Sequence, residues 1–213
     1  AHPDEAKGYE LEGDVKRAQN DLDASLAAYE KATETDPGLV QVQVKMGHVN
    51  SFVGKYDDAF AAYDAAIAAA PPETKATYAP YRSYTYIHSG EIEAALDDLE
   101  AVADNVEAMG TPADQVKGLQ VFALTSHATA ALHRGLFERA AASIGRRNQL
   151  QMEIAEAVGT DDAHRLQKVN CRQWDGLLAA FTGDFDGAVE HAERIAVLVE
   201  SDDNPRKLEP HHY

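Results

Sequence analysis

Nine histidines are the side chains of this sequence most capable of chemistry, because imidazole binds metals and transfers protons near neutral pH. His88 and His133 each stand two residues before a glycine, and His48 stands six residues before one. A zinc site would need three or four ligands that converge on one ion. There is no His-x3-His pair, and His127 and His133, six residues apart, fall on different faces of a helix. We therefore expect the histidines to pack against or cap helices, and we predict no metal site.

Sequence motifs that would indicate an enzyme are also missing. Residues 47–55 end like a phosphate-binding loop, but six residues separate the two glycines instead of four, and no Ser or Thr follows the lysine. No Gly-x-Ser-x-Gly motif of a hydrolase nucleophile is present. His164 and Cys171 are seven residues apart, two helical turns, which is too far to share an ion. We predict a non-catalytic protein without a cofactor.

The charge balance excludes some classes of partner. The chain of 213 residues has 19 basic and 36 acidic side chains, a formal net charge of −17 at pH 7. Such an excess of carboxylates argues against nucleic-acid binding and against binding to anionic membranes, because both depend on basic patches. The longest wholly apolar run, 65–70, is too short for membrane insertion. We expect a soluble protein, either cytoplasmic or exported after removal of a signal peptide.

The elements that must position these side chains are marked by an internal repeat of 34 residues. Six pairs of positions recur at this spacing: Gly13 and Gly47, Asn20 and Gly54, Ser25 and Ala59, Tyr29 and Tyr63, Ala32 and Ala66, and Pro37 and Pro71. In each repeat a small residue lets two helices approach, a turn residue ends the first helix and a proline ends the second. Similar turns at 88–90, 133–135 and 182–185 continue the pattern at longer spacing.

This pattern predicts ten helices in five antiparallel hairpins. Pro80 falls inside the fifth helix, which we expect to begin near that residue or to kink there. The predicted helices are 4–18 and 22–35, 39–53 and 56–70, 76–88 and 91–108, 112–133 and 136–158, and 161–181 and 185–200.

The stretches 20–32 and 54–66 carry a sequence pattern that resembles the tetratricopeptide-repeat family. The resemblance is close for residues 6–71 and degenerate after about residue 110. It implies an all-α fold, a right-handed α-solenoid of about five antiparallel helix hairpins, since stacked hairpins bury a continuous core only against their neighbours.

The resemblance further implies one solenoid domain over residues 1–213. Residues 6–109 would form regular repeats, and residues 110–201 would form longer, degenerate hairpins. Residues 202–213 would be a tail or the start of a further hairpin.

In this family, the resemblance implies, the first helix of each hairpin lines a concave groove. Counting back from the turn residues places aromatic and imidazole groups on that face, namely His48, Phe52, Tyr84, His88 and His133. Such side chains combine flat apolar contact with a polar tip, which suits an extended peptide or a helix. Glu10 and Asp14 take the matching places in the first hairpin, where the family's carboxylate clamp would need Lys and Asn. We predict a protein-interaction module whose groove binds a neutral or basic peptide or partner domain.

Three alternatives stay open at this point. The large side chains of the predicted groove could serve only to pack neighbouring helices. The chain could be a self-associating scaffold that forms a homo-oligomer, because a hairpin without a successor exposes an apolar flank. It could also be a module that binds a metal or small molecule, or acts as a catalyst, through His48, Tyr84, His88 and His133.

Overall fold

The computed structural model describes residues 3–200; the expected tail or further hairpin at 202–213 lies outside the described residues. Within residues 3–200 every regular element is helical, which confirms the all-α prediction. The α-helices of this range are α1 Pro3–Ala18, α2 Leu22–Thr35, α3 Val40–Phe52, α4 Tyr56–Ala69, α5 Pro72–Tyr78, α6 Arg82–Ser89, α7 Ile92–Asn105, α8 Ala113–His133, α9 Phe137–Val158, α10 Asp161–Thr182 and α11 Phe185–Val199. The predicted bounds agree to within three residues, except for those of the fifth predicted helix.

The fifth predicted helix, 76–88, is divided at Pro80, and it begins earlier than expected, at Pro72. Residues Ala79–Tyr81 form a single 3-10 turn between α5 and α6. Proline has no backbone N–H to donate to the preceding turn, and its ring crowds the carbonyl four residues earlier, so the α-helical ladder stops there. The short helix α6 therefore carries Tyr84 and His88.

The chain divides into two compact units, Ala1–Leu119 and Gln120–Tyr213, with the boundary inside α8. We refer to them as unit 1 and unit 2. Unit 1 contains the hairpins α1–α2, α3–α4 and α6–α7, whereas unit 2 contains α9 and the hairpin α10–α11. One continuous solenoid domain over residues 1–213 stays a prediction.

The first two hairpins of unit 1 close through a glycine that faces a tyrosine. A Cβ atom at Gly47 would lie only 2.6 Å from the ring atoms Cε1 and Cζ of Tyr63, and one at Gly13 would overlap the ring of Tyr29. Both tyrosines are buried, and the predicted close approach of the two helices is confirmed in these two hairpins. The turn residue Asn20 has a φ of +61°, a left-handed conformation that ends the first helix as expected.

Unit 2 has a smaller apolar core. Leu124 of α8 and Ile144 of α9 are buried. The buried His127 of α8 has its Nδ1 atom 2.8 Å from Ser143 Oγ of α9. Helix α10 has no fully buried residue. Across residues 3–200, no helix is both long and apolar enough to cross a membrane.

Candidate functional site

A pocket of about 400 Å³ opens in unit 1 between α1, α3 and α6. Four predicted site residues line it: His48 and Phe52 from α3, and Tyr84 and His88 from α6. Each pair is four residues apart, so its members share one face of their helix. The rest of the lining consists of Arg17, Asn20, Leu22, Val49 and Ser51. We call this cavity the aromatic pocket.

Two large side chains of the aromatic pocket are left in solvent. Phe52 is 68% exposed and Tyr84 is 43% exposed. The ring of Phe52 meets the imidazole of His88 edge-on, with 6.4 Å between the ring centroids. An exposed aromatic ring contributes little to the core and offers apolar area that a ligand can cover.

His48 forms the inner wall of the pocket within a cluster of tyrosines. Its ring meets Tyr81, Tyr84 and Tyr63 edge-on, at centroid distances of 5.3, 5.6 and 5.7 Å. Burial, together with the positive charge of Arg17 nearby, holds the pKa of His48 below its usual value. The imidazole is therefore neutral at pH 7, and it acts there as an aromatic wall rather than as a cation.

The 34-residue repeat shows what changes between the first and second hairpins at this place. In the first, Asp14 accepts a hydrogen bond of 2.7 Å from the hydroxyl of Tyr29. In the second, the equivalent residues are His48 and Tyr63, whose rings stack edge-on. Within the described residues, the buried hydroxyl of Tyr63 makes no hydrogen bond equivalent to the one that Tyr29 makes to Asp14. Exchange of a carboxylate for an imidazole thus turns a polar anchor into an aromatic surface.

Glu10 and Asp14 do not present a purely acidic lining, because Lys45 joins them. Its Nζ atom lies 2.7 Å from Glu10 Oε1 and 2.7 Å from Asp14 Oδ2. Burial by itself would raise the pKa of Asp14, but hydrogen bonds from Lys45 and Tyr29 outweigh it and hold that pKa below its usual value. Burial would likewise lower the pKa of Lys45, and its hydrogen bonds to the two carboxylates raise it instead.

Counting back from the turn residues places Arg17 on this surface, three residues before Asn20, but sequence reasoning missed Lys45. Lys45 follows Asp14 by 31 residues, three short of the repeat, and this spacing was the available signal. This spacing places Lys45 on α3, one helical turn before His48, which is the residue equivalent to Asp14.

His133 lies in unit 2, at the end of α8. It is exposed, and its ring meets Phe181 edge-on with 5.4 Å between centroids. The structure therefore gives His133 an aromatic partner of its own within unit 2.

No group of three or more His, Cys, Asp or Glu residues that could hold a metal ion occurs within residues 3–200. Cys171 is half-buried in unit 2, and burial raises the pKa of its thiol. A thiol of raised pKa is a weak nucleophile near neutral pH.

Unit 2 contains a larger pocket, of about 700 Å³, between α9, α10 and α11. Among the charged groups of its lining, Arg172 lies 3.9 Å from Asp175, and Arg194 pairs with Glu190.

Antiparallel hairpins, a 34-residue repeat and a pocket between successive first helices define a helical-repeat protein. The family model of the tetratricopeptide repeat matches residues 6–38. Residues 6–38 are thus similar to a tetratricopeptide repeat, and the chain has the fold of tetratricopeptide-repeat proteins, as the sequence resemblance implied.

Comparison with solved structures gives the same fold. The chain is similar to the MamA protein, with 18% identity and a TM-score of 0.52 over 92% of each chain. It is also similar to a MamA RS-1 ArsTM double mutant, with 16% identity and a TM-score of 0.53 over 94% of this chain and 98% of that one. At such identities the likeness concerns the fold. No curated protein matches the chain.

Proposed function

We propose that this protein is a non-catalytic protein–protein interaction module that binds a peptide or a segment of a partner domain at the aromatic pocket. The tetratricopeptide-repeat fold supports the general role. The observation that carries the specific site is the exposure of Phe52 and Tyr84 on the wall of a cavity of about 400 Å³.

The size and chemistry of the pocket suit one or two apolar side chains of a peptide. Ligand pockets typically enclose about 300–1,000 Å³, so this cavity is too small for a folded domain and large enough for an anchor side chain. Aromatic residues in such places contribute most of the binding energy at protein interfaces. The neutral ring of His48 in the pocket wall would add polar ring nitrogens close to the anchor.

We propose a neutral or basic ligand on two grounds. Glu10 and Asp14 carry two negative charges against the single positive charge of Lys45, while Arg17 adds one positive charge at the pocket. The local balance is close to zero, which favours an uncharged anchor. At longer range the net charge of −17 attracts a basic segment and repels an acidic one.

We propose that unit 2 provides a separate contact at His133. There the imidazole and the ring of Phe181, which is 40% exposed, form a second pair of accessible aromatic groups. Their arrangement is similar in chemistry to that of Phe52 and His88 in unit 1.

A peptide-display selection on the immobilised protein tests the proposal, followed by anisotropy titrations with synthetic, labelled versions of the selected peptides. The double substitution Phe52→Ala and Tyr84→Ala should weaken binding about tenfold to a hundredfold, because two exposed anchors are removed. The matched control is Phe122→Ala, an aromatic residue 40% exposed in unit 2, which should leave binding unchanged.

Circular dichroism of the double variant should match that of the unmodified protein, because both side chains are exposed. Equal affinity of the double variant would exclude the aromatic pocket as the site. A selection that returns only acidic peptides would contradict the proposed charge preference. The position of the site would still be tested by the double alanine variant.

A further inference from the structure

Two apolar helix faces of the described chain, one in each unit, are left uncovered. On α11, Phe185 is 70% exposed and Val189 is 58% exposed. On α1, Leu11 is 64% exposed and Val15 is 48% exposed. Members of each pair are four residues apart and therefore lie side by side on their helix. We call these surfaces the α11 face and the α1 face.

The position of the α11 face within its hairpin identifies the kind of element that covers such a surface. Phe185 and Val189 stand two and six residues after the turn glycine, Gly183. In the second hairpin Tyr56 and Phe60 stand at the same distances from their turn glycine. These are the residues through which a second helix contacts the next hairpin.

That contact is present in unit 1. The hydroxyl of Tyr56 donates a hydrogen bond of 2.9 Å to the backbone oxygen of His88. The ring of Phe60 lies 4.6 Å from that of Tyr86, measured between centroids. His88 and Tyr86 both belong to α6, the first helix of the following hairpin.

The first hairpin repeats this arrangement. Leu22 and Leu26 are the residues equivalent to Tyr56 and Phe60. Leu26 is buried in one cluster with Val42 and Val49 of α3, and Leu22 packs against the same cluster. The surface equivalent to the α11 face is thus covered in both hairpins by the first helix of the next one.

The α1 face is the complementary surface. Leu11 and Val15 stand 34 residues before Lys45 and Val49 of α3. Lys45 binds the carboxylates of α1, and Val49 is buried in the cluster that includes Leu26 of α2. These positions are therefore the ones through which a first helix contacts the hairpin before it, and on α1 they are apolar and exposed.

We propose that the α11 face of one copy binds the α1 face of a second copy, in the arrangement by which α2 packs on α3. A second copy is the favoured occupant because the chain itself carries the helix type that each face requires. The contact joins two different surfaces, so it is heterologous, and each copy in a pair keeps one free face for another copy. Assembly therefore continues beyond the dimer.

The charge of the chain predicts how this assembly responds to salt. Each copy carries a net charge of −17, so two copies repel one another in dilute salt. The contact itself is apolar, and salt that screens the repulsion does not weaken it. Association should therefore become stronger as sodium chloride is raised, whereas an interface of ion pairs would weaken.

Sedimentation velocity over a range of concentrations tests the proposal with two double variants. Phe185→Ser with Val189→Ser removes the α11 face, and Leu11→Ser with Val15→Ser removes the α1 face. The association constant of each variant alone should be about tenfold or more lower than that of the unmodified protein, since the central apolar contacts dominate such interfaces. The matched control, Val158→Ser, changes a valine that is 58% exposed outside both faces and should assemble like the unmodified protein.

Mixing the two double variants gives the decisive result. Each retains the face that the other lacks, so the mixture should form one-to-one pairs and nothing larger. Unmodified protein that stays monomeric at every concentration and salt level would overturn the proposal. Dimers that are lost only when the α11 face is changed would also overturn it, because they indicate a symmetric contact. These outcomes are independent of peptide binding at the aromatic pocket.

Discussion

Replacement of Gly47 by alanine is the sharpest test of how the hairpins of unit 1 pack. The added Cβ atom would lie 2.6 Å from Cε1 and Cζ of Tyr63 and 2.8 Å from Cδ1. Ordinary van der Waals contact begins near 3.4 Å, so the ring or the helix must move by about 0.8 Å. Tyr63 is 1% exposed, and its rigid ring has little free space to enter.

The size of the effect follows from two opposing contributions. Overpacking a rigid core side chain costs about 1–3 kcal/mol, and three close ring atoms place this case near the upper end. Alanine recovers about 0.5–1 kcal/mol because it favours a helix more than glycine does. The net loss is about 2 kcal/mol of unfolding free energy, or a Tm about 4–8 °C lower for a chain of this size.

Urea unfolding monitored by circular dichroism measures this change, with Gly8→Ala as the matched control. Gly8 also lies within a helix of unit 1, but a Cβ atom there would have no neighbour within 4 Å. The control should gain about 0.5–1 kcal/mol, so the two substitutions are expected to have opposite signs. If Gly47→Ala unfolds at the same urea concentration as the unmodified protein, or at a higher one, the packing argument for the hairpin is wrong.

Two further predictions concern ionisable groups of the same unit. Lys45→Met should lower the unfolding free energy by about 1 kcal/mol at pH 7, because Glu10 and Asp14 lose their shared cation. Since the folded-state pKa of Asp14 is depressed, this difference should persist above about pH 4 and shrink in more acidic solution in urea titrations. The pKa of His48 is also depressed, chiefly by burial, so the folded state resists protonation. The unfolding free energy of the unmodified protein should therefore decrease as the pH is lowered from about 8 to 5. The His48→Gln variant should show a smaller decrease over that interval. An equal decrease in both proteins would exclude His48 as the cause.

The helices of this protein were largely predictable because local rules determine them. Asn20 and Gly54 tolerate the left-handed backbone that ends a helix, and Pro37 and Pro71 prevent continuation of the next one. The exact 34-residue spacing of Gly47 after Gly13 further predicted where helices approach closely. Such signals depend on a few neighbouring residues, so they can be identified without knowledge of the fold.

The break at Pro80 was anticipated, but the start of α5 at Pro72 was not. Proline is suited to the first turn of a helix because its missing N–H would be unpaired there in any case. The sequence of this segment allowed several starting points, and Pro72 follows directly after the N-cap residue Pro71. Because proline is compatible with several positions near a helix start, the local pattern alone does not select the first residue of α5.

The aromatic pocket was predictable in part. Counting along the repeat placed His48, Phe52, Tyr84 and His88 on first helices, and the structure brings these four together in unit 1. The same counting could not reveal how far each ring is exposed, because exposure depends on which neighbouring side chains fill the surrounding space.

The sequence by itself determined the helical content, the hairpin order and the repeat that makes Asp14 and His48 equivalent. Only the tertiary structure decided that Lys45 lies between Glu10 and Asp14, and that His48 stands among tyrosines with a depressed pKa. The physical reason is distance along the chain. Turns and helix ends follow from covalent neighbours, whereas ion pairs and ring contacts depend on residues from different helices being packed side by side.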